Sequence, residues 1–168
     1  MAIEKPHIQT LKSENHQLRK RVQELEHKEK RLQKSHETLR IISSRFAEEV
    51  DTDRAIHDSL ADIGKLSGAD RAYLFLFSED GKRMSNTHEW SDLSVNREAE
   101  YLQELPTSNF PWLMEQLTQH ESIDIEDVSK LPEEAKNERV HFEAQQIKSL
   151  LIWSVYMNQR IAGFIGFD

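Results

Sequence analysis

At 168 residues the chain is long enough for one domain with a proper core plus an extended element, and short for two full domains. Its formal charge of −8 is unevenly divided: residues 1–50 carry eleven Lys/Arg against eight Asp/Glu, and residues 51–168 carry eleven against twenty-two. So acidic a second segment repels phosphate backbones and argues against nucleic acid as a partner, while the absence of cysteine removes disulfides, thiolate metal sites, cysteine nucleophiles and thioether-linked chromophores.

The opening MAIEKPHIQT has no apolar run behind positive charge, and nowhere do about eighteen apolar residues run together, so the chain reads as cytoplasmic with no membrane segment. From Ile8 a seven-residue repeat holds, with Leu11, Leu18, Leu25, Leu32 and Leu39 at position d and Phe46 in the next slot. Position a holds Ile8, Asn15, Val22, Glu29, His36 and Ser43. A seam this narrow is buried only against another helix, which predicts a coiled coil over residues 1–48 and a homodimer through residues 8–39. Asn15 at a core position favours a parallel, in-register pair, because other registers strand its amide among leucines. The flanking charges agree: Glu14 meets Arg19 of a partner helix and Arg21 meets Glu26.

Two other readings of this segment find little support in the residues, phospho-transfer at His36 and DNA binding. Ser35 to Arg40 resembles the phospho-acceptor box of histidine kinases, but Ile41 and Ile42 stand where a proline normally follows, and no glycine-rich nucleotide segment comes after. A DNA-binding zipper needs a dense basic region with a base-contacting Asn ahead of it, and only seven residues precede Ile8.

In residues 49–168, Asp51-Thr52-Asp53 offers capping side chains to a helix with Ile56, Leu60 and Ile63 on one face, and Gly68 supplies its left-handed stop. Ala72 to Phe77 is apolar on both alternating faces, as in a central strand covered on two sides. A turn at Glu79 to Lys82 leads into a second strand, Arg83 to Trp90. Ser108 is placed to cap a helix that runs through Pro111 and Trp112 to about Thr118. A short strand at Ile123 to Ile125 follows, then a polar helix from Pro132 to about Gln146. The chain closes in a hairpin, Ser149 to Tyr156 and Ile161 to Phe167, around Asn158-Gln159; Gln159 is a poor second residue for a two-residue turn, which leaves a longer one open. This order predicts an α+β domain, an antiparallel sheet with helices on both faces.

Gly68-Ala69-Asp70-Arg71-Ala72 before a hydrophobic strand, and Ile147 to Leu151 leading to Ala162-Gly163-Phe164-Ile165-Gly166-Phe167-Asp168, resemble the first and last strands of GAF domains, over about residues 38–168. The resemblance is to GAF modules of bacterial and archaeal sensor histidine kinases, whose PAS-like sheet holds a small molecule on one face and passes occupancy through helices at a dimer interface. It also implies a carboxy-terminal helix after the last strand, which residues up to Asp168 do not include. The expectation is therefore a piece of a longer two-component signalling protein with an output domain elsewhere.

Residue by residue, the resemblance narrows the cofactor. Covalent bilin attachment and free methionine sulfoxide reduction both need cysteine, and the cyclic-nucleotide signature has no counterpart here, so the ligand stays unknown. The candidate ligand-binding residues are the aromatic and histidine side chains at Phe75, His88, Trp90, Phe110, Trp112 and Trp153, which offer apolar walls with one polar group. No histidine array suits a metal, and no Ser-His-Asp set, phosphate loop or paired-carboxylate motif is legible, so no catalysis is expected. Three functions remain: a sensor relaying ligand occupancy through the coil, a dimerisation and scaffold module with a vestigial pocket filled by its own side chains, or, on His36 alone, a phospho-relay fragment. A cavity of about 300 Å3 or more beneath Trp112 would favour the sensor.

Overall fold

A computed structural model describes residues 4–48 and 51–168, with side chains from residue 11 onward. The Ile8 side chain expected in the seam is not among the described side chains. The chain divides into two compact units, Met1–Ser44 and Arg45–Asp168.

The first unit is helical. Helix α1 spans Glu4–Glu48, and its only proline, Pro6, sits in the first turn, where a missing N–H breaks no intrahelical bond. No glycine interrupts residues 4–48. At about 1.5 Å per residue the helix is roughly 65–70 Å long. Local pairs such as Arg40 Nη2 to Glu37 Oε1 at 2.6 Å lie along it, and exposed pairs of this kind add little. The five d-position leucines and Val22 are each about half exposed or more. A long helix showing so regular an apolar stripe to solvent has its main source of tertiary stability unused within one chain.

The second unit is built on a sheet. Helix α2 (Thr52–Ser67) is capped by Asp51, whose side chain accepts from the Arg54 amide, and closed by Gly68 in the left-handed region at φ 75°. Strands β1 (Arg71–Phe77), β2 (Arg83–Ser91), β3 (Leu105–Pro106), β4 (Ser122–Ile125), β5 (Leu150–Met157) and β6 (Arg160–Phe167) form one sheet in the order β3-β2-β1-β6-β5-β4. Every neighbouring pair is antiparallel. Helix α2 lies on one face of the sheet over Ala72, Leu74 and Trp90. Helices α3 (Pro111–Gln119) and α4 (Lys136–Ala144), with short 3-10 turns, cover the other and enclose the larger core.

Two details differ from the sequence expectations, at β3 and at the cap of α3, and the length of the closing turn, left open there, is fixed. The two-residue edge strand β3 pairs with the start of β2 and carries no pattern long enough to read. The closing hairpin uses a two-residue turn after all: Met157 pairs with Arg160, and Asn158 and Gln159 take φ of 51° and 64°. Ser108 does not cap α3, because a 3-10 turn occupies Thr107–Asn109 and Phe110 stands at the cap position without a side-chain bond. The cap comes from far along the chain instead: Glu138 of α4 accepts from the Leu113 amide at 3.1 Å. A carboxylate at a helix N-terminus satisfies an otherwise unpaired donor and opposes the positive end of the dipole.

Candidate functional site

A bulge in β2 decides which side chains face the larger core. In the pairing of β1 with β2, Leu74 lies opposite His88 and Phe75 opposite Asn86, so Thr87 is the extra residue. Its hydroxyl donates to the Leu74 carbonyl at 3.2 Å and anchors the irregularity. Strict alternation would put residues three apart on opposite faces. The bulge resets the phase, so Asn86 and Glu89 both face α3 and α4, and bulges of this kind commonly re-aim side chains.

Asn86 Nδ2 donates to Glu89 Oε2 at 2.8 Å, and the other Glu89 oxygen accepts from the Glu98 amide at 3.0 Å. Both side chains are almost fully buried. With Nδ2 engaged, Oδ1 is the remaining atom of the carboxamide. Among the described residues, the buried side-chain oxygens without a hydrogen-bond partner are Asn86 Oδ1, Glu138 Oε2 and Asp168 Oδ2.

Asn86 borders a small cavity of about 40 Å3. Its apolar walls include Phe75 and Phe164, stacked at 4.9 Å between centroids and 8° between planes, and Tyr73, edge-on to Phe75 at 5.8 Å. Phe110, Leu113 and Phe142 close it from the helical side. Its polar border comprises Asn86, Glu89 and Glu98, with Gln145 and Arg71. Burial, followed by the nearby Asp168 carboxylate, pushes the Tyr73 phenol far above its usual range, so the hydroxyl keeps its proton.

Arg71 and Asp168 form a buried ion pair at the rim, 2.9 Å between Nε and Oδ1. Arg71 Nη2 also donates to the Gln145 carbonyl at 3.2 Å. Burial raises the Asp168 carboxyl, and the adjacent guanidinium pulls in the other direction. Outside this pair lies an open groove of about 510 Å3, which shares Arg71, Glu98, Gln145 and Ile147 with the cavity.

Of the candidate residues, the structure brings Phe75 and Phe110 together at the cavity. Trp112 packs beside the core but borders a separate open depression along β4. Trp90 lies on the opposite sheet face, its ring filling the space that a side chain at Gly64 would need. His88 shares that face and meets Asp53 Oδ1 at 3.3 Å and Thr87 Oγ1 at 3.0 Å. Trp153 is there too, 45 % exposed, with its ring edge toward Phe167. The cavity lies beneath Phe110 and Leu113 rather than Trp112. Asn86, Glu89 and Arg71 escape a search for aromatic and histidine residues, and Tyr73, although aromatic, is not among the candidates. The one usable signal is an Asn and a Glu three apart in a half-buried strand.

This arrangement has many relatives in three dimensions. The chain superposes on the phycocyanobilin-bound GAF domain of a cyanobacterial phytochrome with a TM-score of 0.65 at 18% identity, covering 79% of this chain and 78% of that one. The GAF domain of an Acinetobacter phosphoenolpyruvate-protein phosphotransferase gives a TM-score of 0.57 at 15% identity, covering 78% and 73%. The fold is that of a GAF domain. In sequence, no family model matches. The methanogenesis regulatory histidine kinase FilI of Methanothrix harundinacea is 34% identical over 126 residues, 70% of this chain. The chain spans about 13% of that relative's length. Among the described residues of the GAF-fold unit and helix α1, no helix is long and apolar enough to cross a membrane, and no group of three His, Cys, Asp or Glu is placed to hold a metal ion.

Proposed function

We propose that the GAF-fold unit is the ligand-sensing module of a longer cytoplasmic signalling protein of the sensor histidine kinase class, without catalysis of its own. It binds a small molecule between the sheet and helices α3 and α4. A parallel homodimer through residues 8–39 relays occupancy to an output domain outside this chain. The observation that carries this reading is the buried Asn86 carboxamide, oriented by Glu89 and left with an unpartnered Oδ1 at an aromatic-walled cavity. Leaving such an acceptor unsatisfied costs about 1–3 kcal/mol, a cost that a ligand donor removes. The similarity to a histidine kinase and the exposed leucine stripe of α1 support the relay.

A second reading has its own observation. At about 40 Å3 the cavity is far below the roughly 300–1,000 Å3 of small-molecule sites, as in a scaffold whose pocket is filled by Phe110, Leu113 and Phe142. Native mass spectrometry of freshly purified protein separates the two. The sensor reading expects a retained or added small molecule on a dimer, and a dimer that takes up nothing from a metabolite library favours the scaffold. The dimer is checked by sedimentation: Leu18→Ala or Leu25→Ala should each cost about 2–5 kcal/mol per buried side chain. A parent chain that sediments as a monomer at micromolar concentration would defeat the relay.

A further inference from the structure

Taking the sensor reading as its basis, we infer that the pocket selects ligands by a nitrogen head bearing hydrogen-bond donors, an amide, amidinium or amine terminus that donates to Asn86 Oδ1, and that it rejects anionic heads. Three features of the cavity carry this. Asn86 Oδ1 is an acceptor, it is buried and unpartnered, and its orientation is fixed because Nδ2 is held by Glu89 Oε2 at 2.8 Å. A hydroxyl in that place would turn to suit a donor or an acceptor, whereas this carboxamide can turn only by breaking its bond to a buried carboxylate.

The charge around the cavity acts in the same direction. Glu89 and Glu98 face it, and Arg71 is the only cation among its lining residues. Arg71 has Nε committed to Asp168 and Nη2 to the Gln145 carbonyl, and Asp168 already neutralises it. A carboxylate head entering here meets two carboxylates, one paired guanidinium and an amide oxygen. A cationic or neutral donor meets complementary partners at each of these except Arg71, and at low effective dielectric such differences are large.

Size sets the rest of the ligand. A water needs about 10–15 Å3 by this measure, so 40 Å3 admits about three or four heavy atoms, the size of an amide or amidinium group. The body of a larger ligand would lie in the adjoining groove of about 510 Å3, reached past Arg71 and Glu98, which border both spaces. The aromatic pair Phe75 and Phe164 supplies a flat wall for a planar head.

The test uses three planar probes of nearly equal size: acetamidinium, acetamide and acetate. Each is titrated into the full chain at constant ionic strength, with NMR signals followed for the Asn86 side-chain amide, the Glu98 backbone amide and the Gln103 side chain that donates to the Asn86 carbonyl. We expect saturable shifts confined to this cluster, with acetamidinium binding at least tenfold more tightly than acetate and acetamide between them. Asn86→Leu, which keeps the volume and removes the acceptor, should weaken acetamidinium at least tenfold. Glu98→Gln, at a partly exposed position, leaves the buried groups in place and should narrow the preference for acetamidinium over acetamide at least threefold. Acetate binding as tightly as acetamidinium would overturn the donor-head inference and leave the pocket as a ligand site. Shifts unchanged in both variants would overturn it equally. If none of the three probes moves any signal of the cluster, the inference and the sensor reading fail together.

Discussion

The two faces of the sheet are built from the same strands yet differ in kind. Toward α2, Ala72, Leu74 and Trp90 make a small apolar contact, and Trp153 at its margin is half exposed. Toward α3 and α4, aromatic rings close around Asn86 and Glu89, a buried polar pair in a largely apolar core that also holds Glu138. The α2 face is a packing surface that needs only area. The other keeps polar groups where apolar ones would be more stable, and buried polar groups retained at such a cost are where function is expected.

The largest effect should come from a side chain placed at Gly163 of β6, opposite Leu76 of β1. A Cβ at Gly163 would overlap the Phe75 carbonyl oxygen and touch Leu76 Cα, so the obstacle is backbone in the middle of the sheet. Gly163→Val should therefore exceed the about 1–3 kcal/mol of ordinary overpacking and abolish the cooperative unfolding transition seen by circular dichroism. Next comes a paired test of the two faces. Phe164→Ala removes one ring of the stacked pair and should cost about 3–5 kcal/mol. Trp153→Ala deletes a larger side chain but from a half-exposed position, and should cost under about 1 kcal/mol. Urea midpoints that rank the two the other way would mean that the α2 face carries the core.

Thr87→Val is smaller and more pointed. It retains shape but loses the hydroxyl that donates to the Leu74 carbonyl at 3.2 Å, for an expected cost of about 1 kcal/mol. If the bulge is what holds Asn86 beside Glu89, the Asn86 side-chain amide signal should broaden or shift in this variant, while Trp153 indole signals stay put.

That bulge also explains how much was legible in the sequence. Ile56, Leu60 and the Gly68 stop mark α2, and the apolar run from Ala72 to Phe77 marks a strand covered on both sides, because these signals are local. The leucines of α1 are legible for the same reason. The site was only half legible. Period-two alternation gives the phase of a strand but not the residue at which the phase changes, and Thr87 has no mark in sequence that says so. His88 and Trp90 therefore stand as candidates beside Phe75 and Phe110 although they lie on the face away from the cavity, and Trp153 on β5 lies on that face independently of the bulge. The Glu138 cap on α3 was beyond reach in a different way: it joins residues 25 apart in sequence through a tertiary contact, whereas Ser108 satisfied every local rule for a cap.

The smallest predicted effect separates two aspartates by environment. Asp168 is buried beside Arg71 and its carboxyl is raised by that burial. Asp127, on an exposed turn, bonds Lys130 and Ser129, and these hold it down at about 2. A raised carboxyl binds its proton more tightly in the folded state, so its contribution to stability is full below the unfolded value of about 3.9. That contribution is lost as pH rises through the folded value. For Asp127 the sign is reversed: its contribution is present above about 3.9 and is lost as pH falls toward 2. Asp168→Asn fixes the neutral form, so the wild-type stability relative to this variant should fall as pH is raised from 4 and then level off. Relative to Asp127→Asn, wild type should instead lose its advantage as pH falls below about 4. Urea midpoints at half-unit pH intervals from 2.5 to 7 resolve the two windows. An advantage for Asp168 that grows with pH would mean that attraction to Arg71 outweighs burial, and the pair at the rim would then be a net stabiliser in its charged form.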